Sequence, residues 1–245
     1  MKNEALLFGI HAVVEAIKSG KTLDKIFVQK GLKGDLYKEL EALLNTHSIT
    51  PNTVPVEKLN KLTQKNHQGV AAFIAPIDFY DLEEIIIQTQ EKGETPLFIL
   101  LDQLTDVRNF GAIIRTAECV GAHGIVIPKS GAAPVTADTV KTSAGAIFNI
   151  PICKVDHLKD AIFLLEASGV KTVAATEKTE NTLYDIDFKT PTAIVIGSEG
   201  KGVSNGILKT VSYKAKLPMF GKISSLNVSV AAGAFLYEAI RQRSL

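Results

Sequence analysis

The sequence contains too few cysteines for a disulfide framework and no apolar run of the ~18 residues that a membrane span needs. Its two cysteines, Cys119 and Cys153, cannot form a four-cysteine zinc site, and their scarcity favours a reducing compartment. A signal peptide needs an unbroken apolar stretch, whereas Glu4, His11 and Glu15 interrupt the first segment. These absences predict a soluble, cytoplasmic protein that does not associate with a membrane.

A strong net charge is also absent, because 27 basic residues nearly balance 26 acidic ones. This balance argues against a nucleic-acid partner, because proteins bind nucleic-acid phosphates through cationic patches. The charge is nevertheless unevenly distributed: residues 1–76 carry ten lysines against seven acids, residues 77–95 one lysine against six, and residues 96–245 sixteen basic residues against thirteen acids. All four arginines lie in the last block, and arginine suits bidentate phosphate contacts. Solvated surface charge is the simpler explanation of the pattern.

Residues 1–76 alternate between helical and strand patterns. The segments HAVVEAIKSG, DLYKELEALLNTH and VEKLNKLTQ predict helices, and KIFVQ and GVAAFIAP predict strands. We therefore expect a compact α/β domain over residues 1–76. Residues 77–95 combine acidic residues with a short helical pattern and a Gly/Pro exit, which predicts an acidic linker.

Residues 96–245 follow a more regular rhythm. The apolar runs LFILL, GIVI, KTVAAT and TAIVIG show no alternation, as expected of parallel strands that are covered on both faces. Helical segments separate these runs. The pattern predicts a second α/β domain, built on a parallel sheet whose ligands bind beyond the carboxyl ends of the strands.

The helical segment NFGAIIRTAECVG is apolar on nearly all sides. Ile113, Ala117 and Val120 form one stripe, and other apolar residues flank it, which is typical of a helix buried on more than one side. Arg115 points about 160° away from Ala117, toward a second covering surface such as another subunit. The alternative is that Arg115 pairs with Glu118 on a wet surface, and periodicity does not decide between them.

Several well-known chemistries fail on inspection. Val203 stands where a Walker motif needs lysine, Asn205 occupies the third glycine position of a dinucleotide fingerprint, and Ser198 lacks the glycine of a nucleophile elbow. None of the five histidines has a partner at a metal-binding spacing. The sequence therefore predicts no metal site, and P-loop phosphoryl transfer and dinucleotide redox chemistry lose support.

A set of polar residues remains in or just after the segments TDVRNFGAIIRT, IGSEGKGVSNG and LPMFGKISSLNVS, each of which follows a strand or lies near the C-terminus. The set consists of Asn109, Arg115, Glu199, Ser225 and Asn227. Each member also has an ordinary structural explanation: Asn109 or Ser225 could cap a helix, and Glu199 could be a solvated loop acid.

With these residues in hand, residues 96–245 resemble the SpoU family of RNA ribose 2′-O-methyltransferases in the SPOUT superfamily. The segments DVRNFGAIIRTA, IVIGSEGKGVS and LPMFGKISSLNVSVA are similar to its three ordered motifs. Residues 1–76 resemble the L30e-like substrate-binding extension of the ribosomal-RNA branch, through FGIHAVVEAI and NHQGVAA. Val107 stands where many members carry proline, and Leu217 where isoleucine is frequent; neither change removes a functional group.

The resemblance implies a parallel sheet with a trefoil knot, S-adenosyl-L-methionine as methyl donor, and a homodimer formed through the C-terminal domain. It assigns Gly197, Leu217 and Leu226 to the cofactor. The catalytic residues that it implies are Asn109, Arg115, Glu199, Ser225 and Asn227. Because a guanidinium is effectively always protonated, we expect Arg115 to hold a phosphate and to stabilise alkoxide charge, with no role as a base.

The function that the resemblance implies is methylation of the ribose 2′-OH of a guanosine in 23S ribosomal RNA. The alternatives are a transfer-RNA guanosine 2′-O-methyltransferase and a non-catalytic RNA-binding assembly factor. Five lysines of the first domain are candidate phosphate contacts, although scattered surface lysines are common: Lys18, Lys21, Lys25, Lys30 and Lys33.

Overall fold

The structure is a computed structural model that describes residues 6–222 and 225–244. The chain divides into two compact units. Unit 1 comprises Met1–Asp78 with Pro134–Ala137, and unit 2 comprises Phe79–Ala133 with Asp138–Leu245. No helix within the described ranges combines the length and the hydropathy that a membrane crossing requires.

Unit 1 is built on a four-stranded sheet with the strand order β1-β4-β2-β3. Strand β4 runs antiparallel to β1 and β2, and β2 runs parallel to β3. The strands are β1 (Leu6–Phe8), β2 (Leu23–Gln29), β3 (Asn52–Val54) and β4 (Val70–Ile74), and the helices are α1 (Ile10–Lys18), α2 (Asp35–Thr46) and α3 (Val56–Leu62).

Strand β2 is apolar on both faces of the unit 1 sheet. Its residues Ile26, Phe27 and Val28 are consecutive, and neighbouring residues of a strand point to opposite sides. Ile26 and Val28 pack with the buried residues of α1 and α2, whereas Phe27 packs with Leu59 of α3. The predicted helices and the two predicted strands are confirmed. Strands β1 and β3 were not predicted, since three residues are too few to display a period.

Unit 2 is built on a six-stranded parallel sheet with the order β10-β8-β9-β5-β6-β7. Its strands are β5 (Leu97–Leu101), β6 (Gly124–Pro128), β7 (Ile152–Val155), β8 (Lys171–Ala175), β9 (Thr192–Ile196) and β10 (Tyr213–Ala215). The helices are α4 (Leu82–Glu91), α5 (Val107–Cys119), α6 (Ala137–Thr142), α7 (Leu158–Ala167), α8 (Asn205–Leu208) and α9 (Val228–Arg243).

The predicted parallel α/β sheet is confirmed in unit 2. Each of the four predicted apolar runs forms a strand, and β5, β6 and β9 are buried along their whole length. The trefoil knot that the family resemblance implies stays a prediction, as do the domain limits inferred from the sequence. Within the expected linker, α4 buries Leu82, Ile85 and Ile86 in the main core of unit 2.

The strand order reverses direction between β5 and β9. From β5 the sheet extends through β6 and β7 on one side, and through β9, β8 and β10 on the other. In open parallel sheets, ligands bind in the crevice at the carboxyl ends of the strands where such a reversal occurs. The loops that follow β5 and β9 are therefore the place where a site is expected.

Candidate active site

Helix α5 begins beside this crevice and is capped by Asp106. The Asp106 carboxylate accepts a hydrogen bond of 2.8 Å from the backbone N–H of Asn109. The expectation that Asn109 itself caps the helix is therefore wrong. Asn109 lies in the first turn and its side chain, which is only 9% exposed, reaches the neighbouring loops.

Helix α9 is capped by Asn227, and the expectation that Ser225 caps it is wrong. The Asn227 Oδ1 accepts hydrogen bonds from the Ser229 backbone N–H at 2.9 Å and from the Ser229 hydroxyl at 2.6 Å. A third bond comes from the Val230 N–H at 3.3 Å. This capping leaves the Nδ2 atom of Asn227 available to other partners.

The loop over residues 197–204 is held in a tight turn after β9. Ser198 and Gly202 exchange two backbone hydrogen bonds of 3.2 and 2.9 Å. Gly197 packs so closely against the loop's return that an added Cβ would lie 2.0 Å from the carbonyl carbon of Gly202. The sequence therefore needs glycine at position 197, and the turn exposes Glu199 at its tip.

The side chains of Asn109, Glu199 and Asn227 form one hydrogen-bonded network. Glu199 Oε1 accepts from Asn109 Nδ2 and from Asn227 Nδ2, both at 3.0 Å. Asn227 Nδ2 also donates to Asn109 Oδ1 at 3.0 Å. The three residues come from the segments after β5, β9 and β10, so the carboxyl edge of the sheet brings together groups that are up to 118 residues apart.

A cavity of about 600 Å³ adjoins this network. It is lined by all three residues expected to hold the cofactor, Gly197, Leu217 and Leu226, and by three of the expected catalytic residues, Glu199, Ser225 and Asn227. Its volume falls within the range of ~300–1,000 Å³ that is typical of small-molecule sites. Ile196, Val228, Ala231 and Phe235 add apolar surface to the lining.

Sequence reasoning missed several residues of this lining, including Thr176, Glu177 and Lys201. Thr176 and Glu177 directly follow β8, and the apolar run KTVAAT predicts that strand. Applying the carboxyl-end rule to this strand as well would have found both residues. Among the described residues, no group of three or more His, Cys, Asp or Glu side chains could hold a metal ion.

Arg115 is not part of the network. It lies on the exposed side of α5 and forms no hydrogen bond or ion pair with any described residue. The expected alternative, an ion pair with Glu118, is absent from the described residues, since Glu118 accepts from Asn149 Nδ2 at 3.3 Å instead. Within residues 6–222 and 225–244, the Arg115 guanidinium is therefore free to bind another partner.

The candidate RNA contacts of unit 1 differ in their surroundings. Lys18 is paired with Glu39 at 2.7 Å, and Lys25 is half-buried. Lys21, Lys30 and Lys33 are exposed. Their contacts with RNA stay a prediction.

Family models match nearly the whole chain. One described as the SpoU rRNA Methylase family matches residues 96–237, and one described as RNA 2′-O ribose methyltransferase substrate binding matches residues 6–80. YacO of Bacillus subtilis, named as a TrmH family tRNA/rRNA methyltransferase, is 38% identical over 239 residues, which are 97% of this chain and 96% of YacO. A Staphylococcus aureus protein also named as a TrmH family tRNA/rRNA methyltransferase is 38% identical over 98% of this chain and 97% of its own.

Solved structures of SpoU enzymes are also similar to this chain. The SpoU methyltransferase AviRb from Streptomyces viridochromogenes, solved in complex with the cofactor AdoMet, matches with a TM-score of 0.62 and 28% identity over 98% of this chain and 90% of AviRb. The TrmH/SpoU tRNA modifying enzyme of A. aeolicus matches with a TM-score of 0.56 and 30% identity over 66% of this chain and 84% of its own. With its two family models, its relatives and its fold in agreement, the chain belongs to the SpoU family of RNA methyltransferases.

Proposed function

We propose that this protein transfers a methyl group from S-adenosyl-L-methionine to the ribose 2′-OH of a guanosine in 23S ribosomal RNA. The observation that carries the proposal is the cavity at the carboxyl edge of the sheet together with the adjoining network of Asn109, Glu199 and Asn227. The cavity suits the methyl donor, and the polar network beside the cavity suits the ribose hydroxyl.

The cavity residues fit S-adenosyl-L-methionine. Leu217, Leu226 and Phe235 offer apolar surface to an adenine ring, and the loop at Gly197 brings backbone polar groups close to the cavity. Glu177 and Glu199 add carboxylates that can accept hydrogen bonds or face a positive charge. When bound, the cofactor supplies a methyl group on a positively charged sulfur, ready for attack by a nucleophile.

The network residues orient the ribose hydroxyl. Glu199 fixes the orientation of two side-chain amides by accepting from both. Asn109 Nδ2 and Oδ1 each make one of these bonds and can each form a second one, and Ser225 adds a hydroxyl at the cavity wall. Asn227 has both of its N–H groups engaged and holds Asn109 and Glu199 in place. Such pre-oriented groups align reactants and lower the barrier to an in-line transfer.

Arg115 completes the site in a homodimer formed through unit 2. Its guanidinium holds the phosphate next to the target ribose and stabilises the negative charge that develops on the 2′-oxygen. The open side of α5 supports this proposal, as do Val230 and Tyr237 of the adjacent helix α9, which are 56% and 58% exposed. Apolar side chains left open in this way favour association with a second copy.

The RNA class rests on unit 1. The substrate-binding model covers residues 6–80, and the model that matches residues 96–237 is described as the SpoU rRNA Methylase family. The solved tRNA modifying enzyme matches only 66% of this chain. Transfer RNA is the second candidate substrate, because the relatives are named for both RNA classes.

The test uses labelled S-adenosyl-L-methionine with separate 23S, 16S and transfer RNA transcripts, followed by mapping of alkali-resistant linkages. A methylated 2′-oxygen cannot cleave its own phosphodiester, so the modified nucleotide resists alkali. We expect label on a guanosine of 23S RNA. Label on a base or only on transfer RNA would overturn the assignment, and RNA binding without any label would favour the non-catalytic assembly factor.

A further inference from the structure

Asp102 joins both ends of the loop that carries Glu199. It directly follows β5, and its backbone N–H donates to the carbonyl of Ile196, at the start of the loop, at 2.8 Å. Its carboxylate accepts from the backbone N–H of Ser204, at the end of the loop, at 2.7 Å. Asp102 therefore holds both ends of the loop, at Ile196 and Ser204, which lie 94 and 102 positions further along the chain.

The environment of Asp102 argues for a demanding role. The residue is only 5% exposed, and burial of a carboxylate is costly unless hydrogen bonds compensate it. A backbone N–H that donates to a carboxylate forms a charge-assisted bond, which is shorter and stronger than a neutral one. The bond at 2.7 Å to Ser204 has the expected length.

The loop between these two anchors has little internal freedom. Ser198 and Gly202 are paired across it, and Gly197 packs against residues 202 and 203 without room for a Cβ. Fixing the two ends of such a turn fixes the direction of the side chain at its tip. That side chain is Glu199, which orients the amides of Asn109 and Asn227.

We propose that Asp102 is a positioning residue for methyl transfer, acting through the 197–204 loop to hold Glu199 against the two amides. The proposal rests on the proposed function for its kinetic consequence, but its structural step concerns the loop alone. The chemical requirement is an acceptor for the Ser204 N–H. The negative charge strengthens this bond, but a neutral acceptor at position 102 holds the loop in the same geometry.

The first experiment compares Asp102→Ala with Asp102→Asn, using methylation rates at saturating S-adenosyl-L-methionine. Asparagine keeps a side-chain oxygen that accepts from Ser204, so we expect a rate close to that of the wild-type protein. Alanine removes the acceptor, and we expect a loss on the order of 10- to 100-fold, the usual result of a misplaced catalytic group. An asparagine variant as slow as the alanine variant would overturn the proposal.

The matched control is Asp81→Ala. The Asp81 carboxylate also accepts from one backbone N–H, that of Glu84 at 3.1 Å, but it caps α4 and does not line the cavity. We expect lower stability and an unchanged methylation rate. If Asp81→Ala slows methylation as much as Asp102→Ala does, general destabilisation explains both and the positioning role fails.

Ser204→Pro removes the other partner of the same bond and leaves Asp102 in place. The φ angle of Ser204 is −62°, which suits proline, and its hydroxyl makes no capping bond. We expect a rate loss similar to that of Asp102→Ala. A Ser204→Pro variant with the wild-type rate would contradict the proposal even if Asp102→Ala failed to fold.

A double-mutant cycle tests whether Asp102 acts through Glu199. In a Glu199→Ala background, Asp102→Ala should cost little more, because the side chain that it positions has already been removed. Fully additive losses would overturn the proposal.

Amide hydrogen exchange at residues 202–204 tests the loop clamp independently of whether the protein methylates RNA. Faster exchange in Asp102→Ala but not in Asp102→Asn supports the loop clamp even if the wild-type protein methylates no RNA, and equal exchange in the two variants refutes it.

Discussion

The two edges of the six-stranded sheet in unit 2 both hold networks of polar side chains, but the two networks differ in their partners. At the carboxyl edge, Asn109, Glu199 and Asn227 bind one another beside an open cavity. At the amino edge, Arg243 and His123 bind backbone groups, and His123 also contacts the Glu94 carboxylate at 3.1 Å. Asn109 and Glu199 make few enough bonds to retain polar capacity for a ligand, whereas the Arg243 guanidinium is largely engaged by backbone carbonyls.

Arg243 illustrates the amino edge. Its guanidinium donates to four backbone carbonyls in the segments before β5 and β9, at distances between 2.7 and 3.1 Å: those of Thr95, Pro96, Phe188 and Thr190. His123 lies at the same edge, where its Nδ1 accepts from the Leu97 N–H at 3.0 Å. We therefore expect substitutions at the carboxyl edge to change activity and those at the amino edge to change stability.

The largest effect is expected for Glu199→Ala at the carboxyl edge. Without the shared acceptor, the amides of Asn109 and Asn227 lose their common orientation, and the methylation rate should fall by about 100-fold or more. Glu199 is exposed, so the thermal midpoint should change little. Single-turnover methylation and a melting curve measure the two quantities. Glu94→Ala, an acid at the amino edge, is the control for the rate.

Arg243→Ala is expected to have the next largest effect, on stability. The loss of several charge-assisted bonds to carbonyls should lower the free energy of unfolding by about 3 kcal/mol. Urea denaturation followed by circular dichroism measures this change. Arg108→Ala, which removes an exposed arginine of α5, should leave stability nearly unchanged. A methylation rate per folded molecule that collapsed in Arg243→Ala would break the distinction between the two edges.

Arg115→Lys tests the phosphate contact that we propose for α5. Lysine keeps the charge but cannot form a bidentate contact with a phosphate, so the rate should fall by about tenfold. The affinity for S-adenosyl-L-methionine should not change, because Arg115 does not line the cavity. Calorimetric titration measures the affinity. Near-normal turnover would count against a bidentate role for this side chain.

The smallest effect is the pH dependence that His123 confers on stability. Burial lowers the pKa of His123 below its ordinary value of 6.5, and Glu94 only partly offsets this shift. Below pH 6.5 the unfolded chain therefore binds more protons than the folded chain, so the free energy of unfolding falls as the pH falls toward the folded pKa.

His123→Gln should remove this part of the pH dependence. Urea unfolding between about pH 7.5 and about pH 5.5 measures it, since histidine is the side chain that titrates in this range. The wild-type protein should lose more stability over this interval than the variant. His47→Gln, at an exposed histidine of unit 1, should behave like the wild-type protein. Equal losses in wild type and His123→Gln would contradict the assignment.

The central strands of unit 2 could be predicted from the sequence because burial on both faces requires continuous apolar residues. Strands β7 and β10 could not. Each is only three or four residues long and contains a lysine, Lys154 or Lys214, so neither presents an apolar run. Their pairing is decided by neighbouring strands, which a local pattern does not report.

The site could be predicted only in part. Asn109, Glu199 and Asn227 could be selected as polar residues of strand-following segments, but their catalytic roles came from the family resemblance. Nothing local links residues that are 90 and 118 positions apart. The expected caps lay two or three residues from the actual ones: Asp106 and Asn227 cap their helices, and Asn109 and Ser225 do not. The contact between Asp102 and Ser204 could not be predicted either, because it joins residues 102 positions apart through the fold of the loop after β9.

The crowding around Gly197 also bears on which substitutions this protein can tolerate. A side chain at that position would have to displace the backbone of residues 202 and 203, so drift in this turn is restricted. Substitutions should be tolerated better at exposed positions, such as the lysines of unit 1 that we propose as RNA contacts. An engineer who wishes to redirect the enzyme to another RNA should randomise unit 1 and leave the glycine turn intact.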